Sequence, residues 1–217
     1  MTLAYPLNDP RKARPAAALT AAIERMGTRM TYRRNAEIYG QDDEAEMFFQ
    51  VVRGVVRTSR FTSDGRRLVG DFYYAGDIFG LEPGPLHRFA AEALTDCELM
   101  VVRRSAVRAY AGDVEVDRAI LEATQVELER LQEHVVMLGR KTALERVGSF
   151  LMLIAQRHDD DEVDLPMGRQ DMADYLGLTI ETVSRMLSQL QGDRIVDFPS
   201  TRRFQVRKWP ALEALAA

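Results

Sequence analysis

The pattern of apolar and polar positions changes character twice along the chain. Between positions 40 and 84, short runs rich in β-branched and aromatic residues (Met47 to Val52, Val55 to Phe61, Leu68 to Tyr74) are separated by Gly40, Gly54, Gly65, Gly70, Gly76, Gly80 and Gly84. Runs of this length between regularly spaced turn signals predict an antiparallel barrel or roll. Ser63-Asp64-Gly65-Arg66 is the clearest tight turn, because Asp-Gly tolerates the positive φ angles that a hairpin needs. A further apolar strand, Leu99 to Val102, closes the region, and a helical leader from Ala16 to Met26 is expected to pack against it.

From Asp113 the period becomes helical. Leu121, Thr124, Leu128, Leu131, Val135 and Leu138 follow a 3-4 heptad rhythm, with charged and amide residues between them. Asp113 can cap this helix. A strict heptad stripe is narrower than the face a helix buries on its own globular core. The spacing therefore predicts pairing with the same helix of a second chain, a homodimer. After Gly139 a helix is expected from Thr142 to Gln156. A solvated acidic loop, Asp159 to Glu162, then leads into a strand from Glu162 to Leu165.

The segment RQDMADYLGLTIETVSRMLSQL, Arg169 to Leu190, changes the picture from fold to function. A short helix, Gln170 to Leu176, buries Met172, Ala173 and Leu176, and Gly177 stops it. Thr179 caps a second helix whose inward residues are Ile180, Val183, Met186, Leu187 and Leu190. Two short helices on a three-residue turn, with a small residue at the crossing and glycine in the turn, form a helix-turn-helix. Glu181, Ser184 and Arg185 share one face near the start of the second helix, where a recognition helix meets base edges. Arginine can bond guanine O6 and N7, glutamate can accept from the cytosine amino group, and serine can bond either kind of edge. The alternative role for Glu181 and Arg185 is a surface i, i+4 ion pair. Ile195 to Phe198, a turn from Pro199 to Arg203, and Phe204 to Val206 predict a β-hairpin wing. Arg202 and Arg203 at its tip, with Arg169, Gln170, Thr179 and Thr182, are candidates for contacts to the DNA backbone.

Composition narrows the alternatives. The 217-residue chain has a single cysteine, which excludes a disulfide framework, a four-cysteine iron–sulfur cluster and a cysteine-based structural zinc site. No apolar run approaches the roughly 18 residues of a membrane span. The start, MTLAYPLNDPRKAR, lacks the apolar core of a signal peptide, so a cytoplasmic protein is expected. No nucleophile–base pair, metal-spaced cluster or phosphate loop is visible, so neither an enzyme nor a metal or cofactor site is predicted. The net charge of -4 argues against nucleic acid only on the scale of the whole chain. From Arg185 to Lys208 there are six basic residues against two acidic ones, a local excess where phosphates would lie.

The order of glycine-rich β-roll, long helix and winged helix-turn-helix resembles the Crp/Fnr superfamily of bacterial transcription regulators over nearly the whole chain. The segments YRRNAEIYG, AGDIFGLE, HRFAAEAL and LGLTIETVSRML resemble its FixK branch in particular. The resemblance implies an α+β protein with a cyclic-nucleotide-binding-like β-roll (1–112), a dimerisation helix (113–138) and a winged helix-turn-helix (139–217). Its pattern Glu-x-x-Ser-Arg, here Glu181 to Arg185, reads inverted repeats of the type TTGA…TCAA in the family. The cyclic-AMP-reading branch has arginine before the glutamate and glycine before the final arginine, where this chain has Ile180 and Ser184. The nucleotide-binding relatives grip the cyclic phosphate with an Arg-Ser or Arg-Thr pair. Here His87-Arg88-Phe89-Ala90 offers no hydroxyl beside Arg88. The cysteines of the oxygen-sensing relatives are absent. Cys97 is expected to face the core, and Ser184 rules out thiol oxidation within the reading triplet. The resemblance implies a homodimeric regulator of double-stranded DNA, mainly an activator, that serves microaerobic, respiratory or nitrogen-fixation genes without an obligatory effector. RNA polymerase is the further partner it implies, with the Thr62 to Arg67 loop either touching it or standing as a plain solvated hairpin. The rival is an effector-gated sensor binding heme, through His87 or His134, or another small ligand. A lone histidine is more often simply solvated.

Overall fold

The computed structural model describes residues 17–158 and 162–217. Ala16 of the leader and residues 159–161 of the acidic run lie outside the described residues. The chain divides into two compact units that part between Glu129 and Arg130, inside the longest helix.

The first unit holds α1 (Ala17–Met26) and eight strands: β1 (Thr28–Tyr32), β2 (Glu37–Tyr39), β3 (Met47–Arg53), β4 (Val56–Phe61), β5 (Arg67–Tyr73), β6 (Ile78–Phe79), β7 (Ala90–Ala93) and β8 (Cys97–Arg103). They are followed by α2 (Arg104–Ala111) and most of α3 (Asp113–Arg140). The strands form two four-stranded antiparallel sheets, ordered β1-β8-β3-β6 and β2-β7-β4-β5. Alternate residues of facing strands, including Phe49, Val51, Val56, Phe79, Ala91 and Leu99, fill a shared core. The expected strands are present. β1, β2, β6, β7 and α2 were not predicted, because they are short or, in β1, almost wholly exposed, so no apolar period marks them.

Two local expectations need correction. In the β4–β5 turn only Gly65 takes a positive φ, at 80°, while Asp64 instead bonds the Arg66 guanidinium through its carboxylate. Asp113 is the first residue of α3 rather than its cap, and its carboxylate accepts from Arg108 at 3.1 Å.

The second unit holds the end of α3, then α4 (Ala143–Ala155), β9 (Glu162–Asp164), α5 (Arg169–Leu176), α6 (Ile180–Gly192), β10 (Val196–Ser200), β11 (Arg203–Val206) and α7 (Trp209–Ala216). The three strands form one antiparallel sheet in the order β10-β11-β9. Thr142 and Glu145 cap α4 reciprocally: the carboxylate accepts from the Thr142 backbone N–H at 2.7 Å, and the hydroxyl accepts from the Glu145 N–H. α7 was also not predicted. It opens with proline in its first turn and lies so close to α4 that a Cβ on Gly148 would stand 2.9 Å from Leu215.

α1 is integral to its unit. Leu19, Ala22 and Ile23 are fully buried against Phe48, Val102, Val107 and Val116. Ile23→Ala is expected to lower the unfolding free energy by about 3 kcal/mol in urea denaturation. A loss below about 1 kcal/mol would mean that α1 merely lies on the surface.

Candidate nucleic-acid interface

The helix-turn-helix is built by short-range chemistry. The Asp171 carboxylate accepts from the Gly168 N–H at 3.1 Å and so starts α5. Ala173, Met172 and Leu176 are buried, as the pattern predicted. Gly177 ends the helix in the left-handed region at φ 61°, and the Ala173 carbonyl accepts both the Gly177 and the Leu178 N–H groups. Thr179 then caps α6 by accepting from the Thr182 N–H at 3.2 Å, and its hydroxyl lies 3.1 Å from that of Thr182. Both hydroxyls are therefore partly committed to the cap.

Val183, Leu187 and Leu190 bury one face of α6. Met186 is half-buried, and Ile180 is 38% exposed, which corrects its expected inward position. The first turn of α6 leaves the turn region before the buried face is established, so position 180 stands beside Glu181 in solvent. Glu181, Arg185 and Ser188 are exposed and Ser184 is half-exposed, on the face turned away from the core. Among the described residues neither Glu181 nor Arg185 has an ion-pair partner, so the i, i+4 pair between them is not formed. Arg169 is exposed at the start of α5, and Gln170 donates to Asp174 at 2.7 Å.

The wing differs in detail from the expectation. β10 runs on through Pro199 to Ser200 and Arg203 begins β11, so the turn itself is Thr201 and Arg202. Proline is tolerated there because the β10–β11 register is irregular between Asp197 and Ser200. Arg202 donates to the Pro166 carbonyl, which leaves its charge uncompensated. Arg203 instead pairs with Asp164 at 3.1 Å and Glu162 at 3.4 Å on β9. Arg207 pairs with Asp197, whereas Lys208 donates to the neutral Asp193 carbonyl. The net positive edge therefore rests on Arg185, Arg194, Arg202 and Lys208.

Arg146 was missed. Nothing in its sequence context marks it beyond its place in the first turn of α4, and its role emerges only where helix ends converge. Its guanidinium donates to the carbonyls of Leu138 (2.6 Å), Lys141 (3.0 Å) and Leu176 (3.0 Å).

The heptad residues of α3 stand largely in solvent, with Leu121 59%, Leu128 54%, Leu131 49% and Val135 68% exposed, while Thr124 and Leu138 are half-buried. Val114, seven residues before Leu121, is 79% exposed and extends the stripe by a heptad.

In the β-roll, Arg88 donates to Glu82 from both its guanidinium Nε (3.0 Å) and its backbone N–H (3.3 Å). The Phe89 ring lies about 3 Å from where a Cβ on Gly70 would be. The Arg88-Phe89 pair does not match the Arg-Ser or Arg-Thr grip on a cyclic phosphate: Arg88 is paired with Glu82 and its neighbour carries no hydroxyl. His87 is not solvated. It is 1% exposed and stacks on Tyr39 with ring centroids 3.6 Å apart. His134, also expected in solvent, lies with its Nε2 2.8 Å from the Tyr175 carbonyl oxygen. Cys97 is buried, and its thiol, pushed up by burial, donates to main-chain carbonyls, which keeps it from reacting as a thiolate. Among the described residues no group of His, Cys, Asp and Glu is arranged to hold a metal, and no helix is long and apolar enough to cross a membrane.

A β-roll followed by a winged helix-turn-helix defines the class: a DNA-binding regulator with a sensor-type N-terminal domain. Residues 29–113 match the cyclic nucleotide-binding domain family and residues 145–215 the Crp-like helix-turn-helix domain family. The chain is 47% identical over 210 residues to the nitrogen fixation regulation protein FixK of Azorhizobium caulinodans, covering 94% of this chain and 83% of that one. It is 30% identical over 202 residues to the transcriptional activator protein FnrL of Cereibacter sphaeroides, covering 88% and 82%. The solved structure of FixK2 from Bradyrhizobium japonicum superposes with a TM-score of 0.84 at 46% identity, covering 88% of this chain and 98% of that one. The chain belongs to the Crp/Fnr family of transcription regulators, within its FixK-like branch.

Burial holds the His87 imidazole below its usual pKa of 6.5. The unfolded chain therefore binds more protons than the folded one as pH falls through about 6.5, and stability is lost in that direction. The urea midpoint is expected to drop between about pH 7.5 and pH 5.5. His87→Phe, which keeps a ring against Tyr39, should shrink that drop; an unchanged drop would refute the assignment.

Proposed function

We propose that the protein is a homodimeric, sequence-specific regulator, mainly an activator, that binds a TTGA…TCAA-type inverted repeat and controls microaerobic, respiratory or nitrogen-fixation genes in the cytoplasm. The observation that carries the reading is the face of α6: Glu181 and Arg185 are exposed and without ion-pair partners, beside Ser184, at the first turns of a capped second helix. Unengaged donors and acceptors at that end are what base edges in a major groove require. Ile180 adds exposed apolar surface of the kind that contacts a thymine methyl group. Arg169, Gln170, Thr179, Thr182 and Arg202 supply backbone contacts, and Arg203 joins them by exchanging its β9 carboxylates for phosphate.

The exposed stripe of α3 supports pairing of two chains, with residues 113–138 as the dimerisation helix and recognition helices about 34 Å apart, one helical turn of DNA. The Arg88–Glu82 pair and Phe89 support DNA binding without a bound nucleotide. The chain's likeness to a nitrogen fixation regulation protein, FixK, and to a transcriptional activator, FnrL, supports the gene class and the sign of regulation. The Thr62 to Arg67 hairpin, next to exposed Phe61, is the surface offered to RNA polymerase.

Purified protein should bind a TTGA…TCAA duplex without added ligand and far more tightly than a scrambled duplex. Arg185→Ala should cost about 1–3 kcal/mol and relax selection at its guanine. Equal binding of both duplexes defeats the reading. Leu131→Glu places a charge in the seam without disturbing either core. It should convert the dimer to monomer in sedimentation and weaken binding to the repeat at least about tenfold, a change of about 1.4 kcal/mol.

A further inference from the structure

We infer that Arg146 is a positioning residue: it fixes the recognition helix relative to the dimer seam and thereby sets the half-site spacing the protein accepts. The inference rests on the dimeric DNA-binding reading above.

The last turns of α3, from Arg130, belong to the same compact unit as α5 and α6. They carry Leu131, Val135 and Leu138, the most apolar part of the seam. The C-terminal part of the seam and the reading helix thus belong to one unit, and what holds α5 to the end of α3 decides where α6 points relative to that part. A helix leaves its last carbonyls without partners inside the helix. At this junction two such groups, the carbonyls of Leu138 and Leu176, and that of Lys141 between the helices face one side chain. Arg146 gives Nη2 to Leu138, the last seam residue, Nε to Lys141 in the link to α4, and Nη1 to Leu176, the last residue of α5. The guanidinium is a planar fork whose N–H directions are fixed relative to one another, so holding two carbonyls fixes their separation and angle. The next residue after Leu176 is Gly177, the turn into α6. A Cβ there would lie 3.6 Å from Leu138 Cδ2 and 3.7 Å from Arg146 Nη1. The turn therefore sits directly on the seam's last leucine and on the arginine.

A second tie comes from α3 itself. His134 Nε2 lies 2.8 Å from the Tyr175 carbonyl oxygen, and its ring lies 4.2 Å from the Tyr175 ring, which also packs on Phe150. Two consecutive carbonyls at the end of α5 are thus held by two side chains, one on α3 and one on α4. Donors and positive charge at a helix C-terminus are favourable. Lysine in place of Arg146 keeps the charge but presents a single point donor on a flexible stem, which cannot hold three carbonyls at set angles.

One added base pair moves a half-site by about 3.4 Å and rotates it by roughly a tenth of a turn. A rigid junction rejects that change, and a loosened one tolerates it. The test uses the full-length protein, wild type and the variants Arg146→Lys, Arg146→Gln and His134→Phe. Binding is measured to the inverted repeat at its best spacer, to spacers one base pair shorter and longer, and to a scrambled duplex. Dimerisation and thermal unfolding are followed alongside. The wild type should discriminate between spacers by at least about tenfold. Both Arg146 variants should reduce that ratio to within about threefold, with the dimer intact and single-base selection by Arg185 retained. A role confined to stability would lower affinity on every spacer alike and leave the ratio untouched, which overturns the inference. Should both Arg146 variants fail to fold, His134→Phe, which keeps the ring on Tyr175, decides: a narrowed ratio supports the inference and an unchanged ratio overturns it. A wild type that does not prefer the repeat over the scrambled duplex overturns the functional reading and this inference with it. A wild type that does, with spacer ratios unchanged in the folded variants, overturns the inference alone.

Discussion

The constraint on which the DNA-binding unit depends is that several helix ends come together in a small volume. The ends of α3 and α5 each bring a carbonyl that its own helix leaves without a partner, and the link to α4 brings a third. One guanidinium meets all three, at Leu138, Lys141 and Leu176. Around it the Thr142–Glu145 box starts α4, and Lys141 donates to Ser149 at 2.9 Å and to the Ala216 carbonyl at the far end of α7. Satisfied helix termini thus add to the apolar interior in holding the unit, because short helices have a large fraction of their peptide groups at their ends.

Electrostatics sort the surface in a way that the net charge hides. Acidic side chains from β9 and β10 neutralise Arg203 and Arg207, while Arg185, Arg194, Arg202 and Lys208 have no ion-pair partner among the described residues. From Arg185 to Lys208, what remains positive lies on α6, its C-terminal turn and the β10–β11 hairpin. In the β-roll the same pairing logic takes up a cation: Glu82 pairs with Arg88, and the neighbouring Phe89 packs its ring on Gly70.

Much of this was legible in the chain. The 3-4 rhythm from Leu121 to Leu138 gave the long helix, and its narrowness foretold a stripe that the chain does not cover. Ala173, Gly177 and Thr179 located the helix-turn-helix to within a residue, since each meets a local requirement: a close crossing, a left-handed turn and a cap. The strands with strong β-branched content were found, whereas β1 and β7 were not. β1 reads TRMTY and faces solvent, and the alanines of β7 are small enough to carry no period. Ile180 was misplaced because helical periodicity assumes that the buried face extends to the first residue, and at a helix end it does not.

The sequence by itself determined elements whose causes are local: the Gly177 turn, the Thr179 cap, the heptad stripe and the face of α6 that carries Glu181, Ser184 and Arg185. Only the tertiary structure decided which charges survive and which helix ends meet. Arg202 and Arg203 are neighbours of identical chemistry, yet β9 neutralises one and leaves the other its charge. His87 and His134 are lone histidines in the sequence, yet one is buried against Tyr39 and the other reaches the end of α5. Such differences depend on residues 30 to 50 positions away. Ion pairing and burial act through distances in space, which local periodicity does not encode.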